Sequence, residues 1–306
     1  MELLFIILLA IILDLVWGEV PSAIHPVVLM GSLTDFLKPH LIKINNKSSG
    51  IILTVILLAL FIIPFYFILQ LLQYNIIIYI LASGMVLFTT FAIKGLIDST
   101  RQVKIQLDAD INQARQSVSY LVSRDTRNLT YEELASASVE SLTENITDSV
   151  ISPLFYTFFL GVLGGLAYRV INTLDAMVGY KDAENIDIGW FPARLDDLAN
   201  YIPARVTGVF MVISAVFIGL DWKNSYKTMV RDAGKTPSPN SGYPMAAAAG
   251  ALGVQLEKKG VYKLGEGKNP LNTDIIEQAI LISQITIIFF LTVSFILYTF
   301  VLMIIS

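Results

Sequence analysis

Runs of apolar residues long enough to cross a bilayer constrain this chain more than any other feature. Spanning about 30 Å of hydrocarbon takes roughly 20 mostly apolar residues, and runs of that kind occupy residues 1–16, 51–73, 76–97, 152–171, 203–220 and 279–305. Only 15% of the residues are charged, against roughly 25% in a soluble domain, too few to clothe a water-soluble core. The expected fold class is all-α: a polytopic membrane helix bundle of five or six segments, taking in residues 1–306 as a single membrane domain in the lipid bilayer. The first run opens Met1-Glu2 without a basic leader and no cleavage site follows, so it is read as a span and not as a signal peptide. Asp14 at its end is expected to be functional or to face water.

Charge sets the sidedness. Lys and Arg number three in 17–50, five in 98–150 and eight in 221–278, against two in 172–203. In a six-span arrangement this makes the first three loops cytoplasmic by the positive-inside rule, so 98–150 becomes a cytoplasmic helical insert and 221–278 a cytoplasmic loop region. Acid-rich 172–203 is then left outside, away from cytosolic nucleotides. The run 152–171, which holds Pro153, Gly161, Gly164 and Gly165, removes that conflict if it is re-entrant, since broken helices are tolerated where they line a protein cavity. Read plainly, Gly161 and Gly165 are a small-residue packing pair. A formal net charge of −4 argues against a nucleic-acid footprint. The absence of cysteine excludes disulfides and thiolate chemistry, and two histidines, His25 and His40, are too few for a multi-histidine zinc centre.

Within the insert, Asp110 caps a helix whose apolar residues run Ile111, Ala114, Val118, Leu121 and Val122, and Thr130-Tyr-Glu-Glu133 is a capping box for a second helix. That helix carries the stripe Ala135, Val139, Leu142, Ile146 and Val150, ended by Pro153. Its other face stacks Glu140, Glu144 and Asp148 at i, i+4 and i+8, and no Lys or Arg occurs in 128–168. Like charges at that spacing repel by a few tenths of a kcal/mol per pair. A divalent cation or cationic substrate neutralises such a stack, with Asn145 as a neutral oxygen donor; a solvated acidic face is the plain alternative. Mg²⁺ suits one or two carboxylates completed by substrate phosphate oxygens.

A second acid set lies in Asn172-Thr-Leu-Asp175 and Asp196-Asp197-Leu-Ala-Asn200, close in sequence to Arg194 and Arg205. By spacing it suits a metal and phosphate site, or else Asp175 simply pairs with Arg169 or Arg205. A third constellation, Arg231-Asp-Ala-Gly-Lys-Thr-Pro-Ser238-Pro-Asn240-Ser-Gly-Tyr-Pro244, combines extended X-Pro units with turn residues that offer N–H and hydroxyl donors to an anion. Gly260 to Lys268 misses the spacing of a Walker phosphate loop.

In combination these stretches resemble the CbiB/CobD membrane family of cobalamin biosynthesis, the adenosylcobinamide-phosphate synthases. The likeness is carried by Asp14-Leu-Val-Trp-Gly18 with His25-Pro-Val, by Arg124-Asp125, and by Val139-Glu-Ser-Leu-Thr-Glu-Asn145 with Asp148. It continues through Asn172-Thr-Leu-Asp-Ala-Met-Val-Gly-Tyr-Lys181, Arg194-Leu-Asp-Asp-Leu-Ala-Asn-Tyr-Ile-Pro-Ala-Arg205 and Ser238-Pro-Asn240. It covers about 14–31 and 90–270. The chain departs at Ser123 and Ala176, where glycine and serine are expected, and between Asp232 and Pro237, which lacks a histidine.

The resemblance implies a multi-pass cell-membrane enzyme with a cytoplasmic active site. It implies ligation of aminopropanol or its phosphate to the free propionate of adenosylcobyric acid, driven by ATP with Mg²⁺. A carboxylate is a poor electrophile, so ATP is expected to convert it to an acyl phosphate, which requires a metal and cationic groups. Glu144, Asp148, Asp175, Asp196 and Asp197 are the expected Mg²⁺ ligands. Arg124, Arg194, Arg205 and Arg231 are the expected phosphate clamps, with Asn145, Ser238, Asn240 and His25 as further substrate contacts. Glu140 is the expected base, because a carboxylate among carboxylates has a raised pKa; Glu144 and Asp148 complete the catalytic set. A homo-oligomer, or a complex with other membrane enzymes of the pathway, fits the same reading. An intramembrane Mg²⁺-dependent polyprenyl-diphosphate transferase is the rival enzyme, and a transporter or membrane sensor the non-enzymatic one.

Overall fold

The computed structural model describes residues 1–18, 20–21 and 25–305. Among them run α1 (Glu2–Trp17), α2 (Pro26–Leu41), α3 (Ser48–Leu72), α4 (Ile76–Phe88), α5 (Ile93–Ala109), α6 (Ile111–Ser119) and α7 (Tyr131–Ile146). They continue with α8 (Ser152–Leu160), α9 (Val162–Val178), α10 (Trp190–Ala199), α11 (Tyr201–Phe217), α12 (Trp222–Asp232), α13 (Gly242–Leu252) and α14 (Thr273–Ile305). The expected all-α membrane architecture holds, with one addition: strands β1 (Leu256–Lys258) and β2 (Tyr262–Leu264) form an antiparallel hairpin that pairs Leu256 with Leu264 and Lys258 with Tyr262.

Of the five or six expected segments, three helices among the described residues are long and apolar enough to cross a membrane, Ser48–Leu72, Ile76–Ala109 and Thr273–Ile304, or four if the pair α10 and α11, bent by 43°, counts as one. Helix α1, at 16 residues, falls short of the roughly 20 that hydrocarbon requires. The run 152–171 is not one span. Gly161 takes φ +73°, a left-handed conformation cheap only for glycine, and the chain reverses there. Tyr156 of α8 stacks on Tyr168 of α9 with ring centroids 5.6 Å apart, and a Cβ on Gly164 would meet the Tyr156 carbonyl oxygen at 2.6 Å. Small residues thus serve a helical hairpin, the geometry a re-entrant segment needs. Pro153 does not end the preceding helix: helical structure runs without a break from α7 through a π turn, Thr147–Ile151, into α8, where Pro153 is the second residue.

Two compact units divide the chain. The first comprises Met1–Ile93, Ser152–Asn200 and the end of α14 from Leu297. Its core is the seam between α3 and α9: Leu53, Leu57 and Phe61 against Leu166, Val170, Leu174 and Val178, with Met30 of α2. Both rows repeat at i and i+4, the spacing of one helix face. Asp14, expected to be functional or to face water, is buried and accepts the Ile93 backbone N–H at 3.3 Å.

The second unit comprises Lys94–Ile151 and Tyr201–Ile296. Leu134, Ala135, Val139 and Leu142 of α7 pack with Met245, Ala246, Ala249 and Leu252 of α13 and Ile276, Ala279 and Ile280 of α14. The caps read from the sequence are present: Asp110 accepts from the Asn112 N–H, and Thr130 and Glu133 cap reciprocally.

Candidate active site

In the second unit the acids of α7 are not an unrelieved stack. Glu140 is buried and both its oxygens are engaged. Oε1 accepts from Ser136 Oγ at 2.7 Å and Arg124 Nη2 at 3.2 Å, and Oε2 from the Tyr262 hydroxyl at 2.6 Å. Arg124 arrives from the loop before α7 and Tyr262 from β2, so the neutralising donors lie outside the cation-free window of 128–168. Burial, and then the adjoining Glu140, push the Tyr262 phenol above its ordinary value, which keeps it a proton donor to that carboxylate.

Glu144, one turn further, is partly buried. Among the described residues nothing is hydrogen-bonded to its carboxylate, and burial followed by the charge of Glu140 raises its pKa from 4.5 to about 7 against the pull of Lys258. Glu144 is therefore a carboxylate that titrates near neutrality. Asp148 falls inside a π-helical turn, Thr147–Ile151, whose wider spacing moves it off the expected i, i+4 row. Asn145 Nδ2 donates to the Ser141 carbonyl at 2.9 Å.

In the first unit a polar cluster is built on α9 and α10. Asp196 is buried and accepts from Asn172 Nδ2 at 3.3 Å and Asn200 Nδ2 at 3.0 Å. Asn200 in turn accepts from Ser152 Oγ at 2.6 Å and the Tyr168 hydroxyl at 2.9 Å. Arg169 donates to Asn172 Oδ1 at 3.2 Å and to the Thr90 carbonyl at 2.6 Å. Asp197 pairs loosely with exposed Arg194 at 3.8 Å. Asp175, one turn after Asn172 on α9, is partly buried.

The predicted phosphate clamps differ among themselves. Arg231 is consumed structurally: it pairs with buried Asp232 through two bonds of 2.8 Å and also with Glu266. Burial would raise the Asp232 carboxyl, but bonds from Arg231, Lys235 and the Gly265 N–H outweigh it and hold the pKa well below the usual range. Arg205 is different. It lies between the rings of Tyr201 and Tyr243, 3.4 and 4.3 Å from their centroids, and donates to Asn240 Oδ1 at 3.2 Å. Among the described residues no carboxylate pairs with it. Ser238 Oγ accepts the Asn240 N–H at 3.2 Å, so the Ser-Pro-Asn turn holds the residue that holds Arg205. His25 is a helix cap: Nδ1 accepts the Val27 N–H at 3.1 Å.

Sequence reasoning missed several members. Asn200 stands four residues after Asp196, so its pairing was readable from helical spacing. Ser136 stands four residues before Glu140 on α7 and was readable in the same way, whereas Tyr262, Tyr168 and Ser152 carry no such signal, because each joins its cluster through tertiary contact. Among the described residues no group of three or more His, Asp or Glu side chains is set to hold a metal; pairs such as Asp196 with Asp197 remain, and Mg²⁺ bound with phosphate oxygens requires no more than one or two carboxylates.

Comparison with known proteins gives a consistent result. The family model described as CobD/Cbib protein matches residues 7–289. A probable cobalamin biosynthesis protein CobD of Methanothermobacter thermautotrophicus is 51% identical over 93% of this chain and 94% of its own length. A protein of the same description from Methanocaldococcus jannaschii is 43% identical over 86% and 88%. The cobalamin biosynthesis protein CobD of Dehalococcoides mccartyi is 42% identical over 89% of each chain. No solved structure matches. With a family model spanning nearly the whole chain and relatives this similar over nearly their full length, the chain belongs to the CobD/Cbib family.

Proposed function

We propose that this protein is a membrane-bound enzyme of cobalamin biosynthesis, an adenosylcobinamide-phosphate synthase. It joins the amine of aminopropanol or its phosphate to the free propionate of adenosylcobyric acid. Kinship with the relatives supports the pathway. The observation that carries the chemistry is Glu144, a partly buried carboxylate without a hydrogen-bond partner among the described residues and with a pKa of about 7. A base with a pKa near the working pH is what an amine nucleophile requires.

The propionate oxygen attacks the γ-phosphorus of ATP and ADP leaves, giving an acyl phosphate. The amine nitrogen then attacks the acyl carbon, phosphate departs, and the proton lost by nitrogen passes to Glu144. Arg124, tied to Glu140 and through it to Tyr262, fixes the face of α7 on which Glu144 stands. Arg205 is the best-placed clamp for a phosphoryl group, since its charge is uncompensated and its plane is held by two rings. Mg²⁺ would supply charge neutralisation on the phosphates, held by Asp148 in one unit or by Asp175, Asp196 and Asp197 in the other. Those donors fit a hard cation that completes its shell with phosphate oxygens and water.

The test is direct: the purified protein in nanodiscs with adenosylcobyric acid, aminopropanol phosphate, ATP and Mg²⁺, followed for amide product and ADP. Glu144→Gln is expected to lower turnover by about 100-fold while nucleotide still binds. ADP release without amide, or prenyl transfer that needs no corrinoid, would overturn the reading.

A further inference from the structure

The second unit carries a surface cavity of about 380 Å³ to which the reaction above assigns no substrate group. Its wall is formed by Asn112, Arg115, Gln116 and Ser119 of α6 and by Arg124 to Arg127 of the following loop. Three guanidinium groups face one carboxylate, Asp125, so the wall is net positive. The charges are not equally spent. Arg127 is bound to Asp125 through bonds of 2.7 to 3.1 Å, and Arg124 is paired with Glu140. Arg115 is held only by neutral oxygens: Nε and Nη2 donate to the Leu129 carbonyl at 3.2 and 3.1 Å, and Nη1 to Asn112 Oδ1 at 3.0 Å. Its side chain is fixed in place while its charge stays uncompensated among the described residues. Arg124 Nε is buried with no acceptor, a donor left over beside the same cavity. Thr126 Oγ1 donates to the Arg115 carbonyl at 2.8 Å, which ties the loop to α6.

We propose that this cavity binds the phosphoryl group of a small phosphate ester, with Arg115 as the principal contact and Arg124 and Arg127 beside it. A guanidinium meets phosphate through paired N–H donors in one plane, and one already oriented by the backbone loses little freedom on binding. Asp125 opposes the anion; Arg127, its hydrogen-bond donor, holds the carboxyl at a pKa of about 2, so it remains charged at every working pH. The proposal rests on the ligase reading only for which phosphate ester is native. The site itself stands on this wall.

The test is equilibrium binding to the full chain in nanodiscs, without corrinoid, using inorganic phosphate, aminopropanol phosphate and ATP as separate probes. Wild-type protein is expected to bind at least one of them. Arg115→Gln should weaken that binding by at least about tenfold, Arg127→Ala should weaken it less, and Asp125→Asn should tighten it. Asp125 and Arg127 are exposed, so those two variants stay informative even if Arg115→Gln perturbs the loop. Tighter binding of aminopropanol phosphate assigns the site to the amine substrate, and tighter binding of ATP assigns it to the nucleotide; either supports the proposal. Absence of binding by all three probes, or affinities unmoved by Arg127→Ala and Asp125→Asn, overturns it. Because no amide formation is read, failure here and failure of the ligase assay are distinguishable.

Discussion

Glu140 and Glu144 are the same residue type one helical turn apart, yet the neighbours they meet in space give them opposite characters. Glu140 collects Arg124, Ser136 and Tyr262, whereas Glu144 meets burial and a like charge. Folded Glu144 holds its proton more tightly than the unfolded chain does, about 7 against 4.5. Its contribution to stability is therefore complete below the lower value and is lost as pH rises through the higher one. Thermal melts in micelles should show Glu144→Gln more stable than wild type at pH 8 by roughly 2 kcal/mol, with the gain gone at pH 4.5. Turnover of the wild type should rise with pH through about 7 as the base loses its proton. Asp232 has the opposite sign. Its lowered pKa adds stability above the unfolded value of 3.8 that is lost as the pH falls. Asp232→Asn should cost about 3 kcal/mol at neutral pH, since it leaves Arg231 and Lys235 without their buried partner. Arg231→Gln should leave nucleotide affinity unchanged, the outcome that separates a structural arginine from a phosphate clamp.

Elements were legible where the signal was local. The Asp110 and Thr130 caps, the apolar stripe of α7 and three of the apolar runs read correctly, because capping and 3.6-residue periodicity depend on neighbours in sequence. The β-hairpin was not legible: each strand is three residues long, too short for alternation to register, and its place is set by packing on α7 and α13. The reversal at Gly161 lay between these cases, since the glycines were visible and the turn was one of two readings. Nothing lies within 4 Å of a Cβ built on Gly161, so Gly161→Ala carries backbone strain alone, about 1–3 kcal/mol for an L-residue in the essentially glycine-only region of positive φ and ψ near 180°. A loss of that size in the melting free energy, with no loss at Gly234→Ala, which also faces open space and has no positive φ, would locate the cost in the turn.

For the whole molecule, three membrane-capable helices in place of six spans leave residues 110–272 without a crossing, provided the bent pair of α10 and α11 does not traverse the bilayer. Both acid sets and the basic loops of 98–150 and 221–278 are then expected on one side, the cytoplasmic one by the positive-inside rule. The chain has no cysteine, so single substitutions can be read without background. Gln116→Cys, Glu184→Cys and Lys259→Cys, all at exposed positions, should react with a membrane-impermeant maleimide in inverted vesicles and be protected in intact cells. Protection of Lys259→Cys in inverted vesicles would make α10 and α11 a crossing. The same reagent on Glu184→Cys decides whether α8 and α9 return to the side they left.

The sequence alone determined the class of fold, the helix caps, the family and the residue types of both carboxylate sets, because each rests on composition, on short-range periodicity or on a pattern of side chains in order. Only the tertiary structure decided which carboxylate is ion-paired and which is left without a partner, which arginine is spent on a buried aspartate and which meets no carboxylate among the described residues. Those properties are sums over neighbours brought together from distant parts of the chain, as Tyr262 is to Glu140 and Gly265 to Asp232, and electrostatic energy depends on distance in space and on burial, not on separation along the backbone.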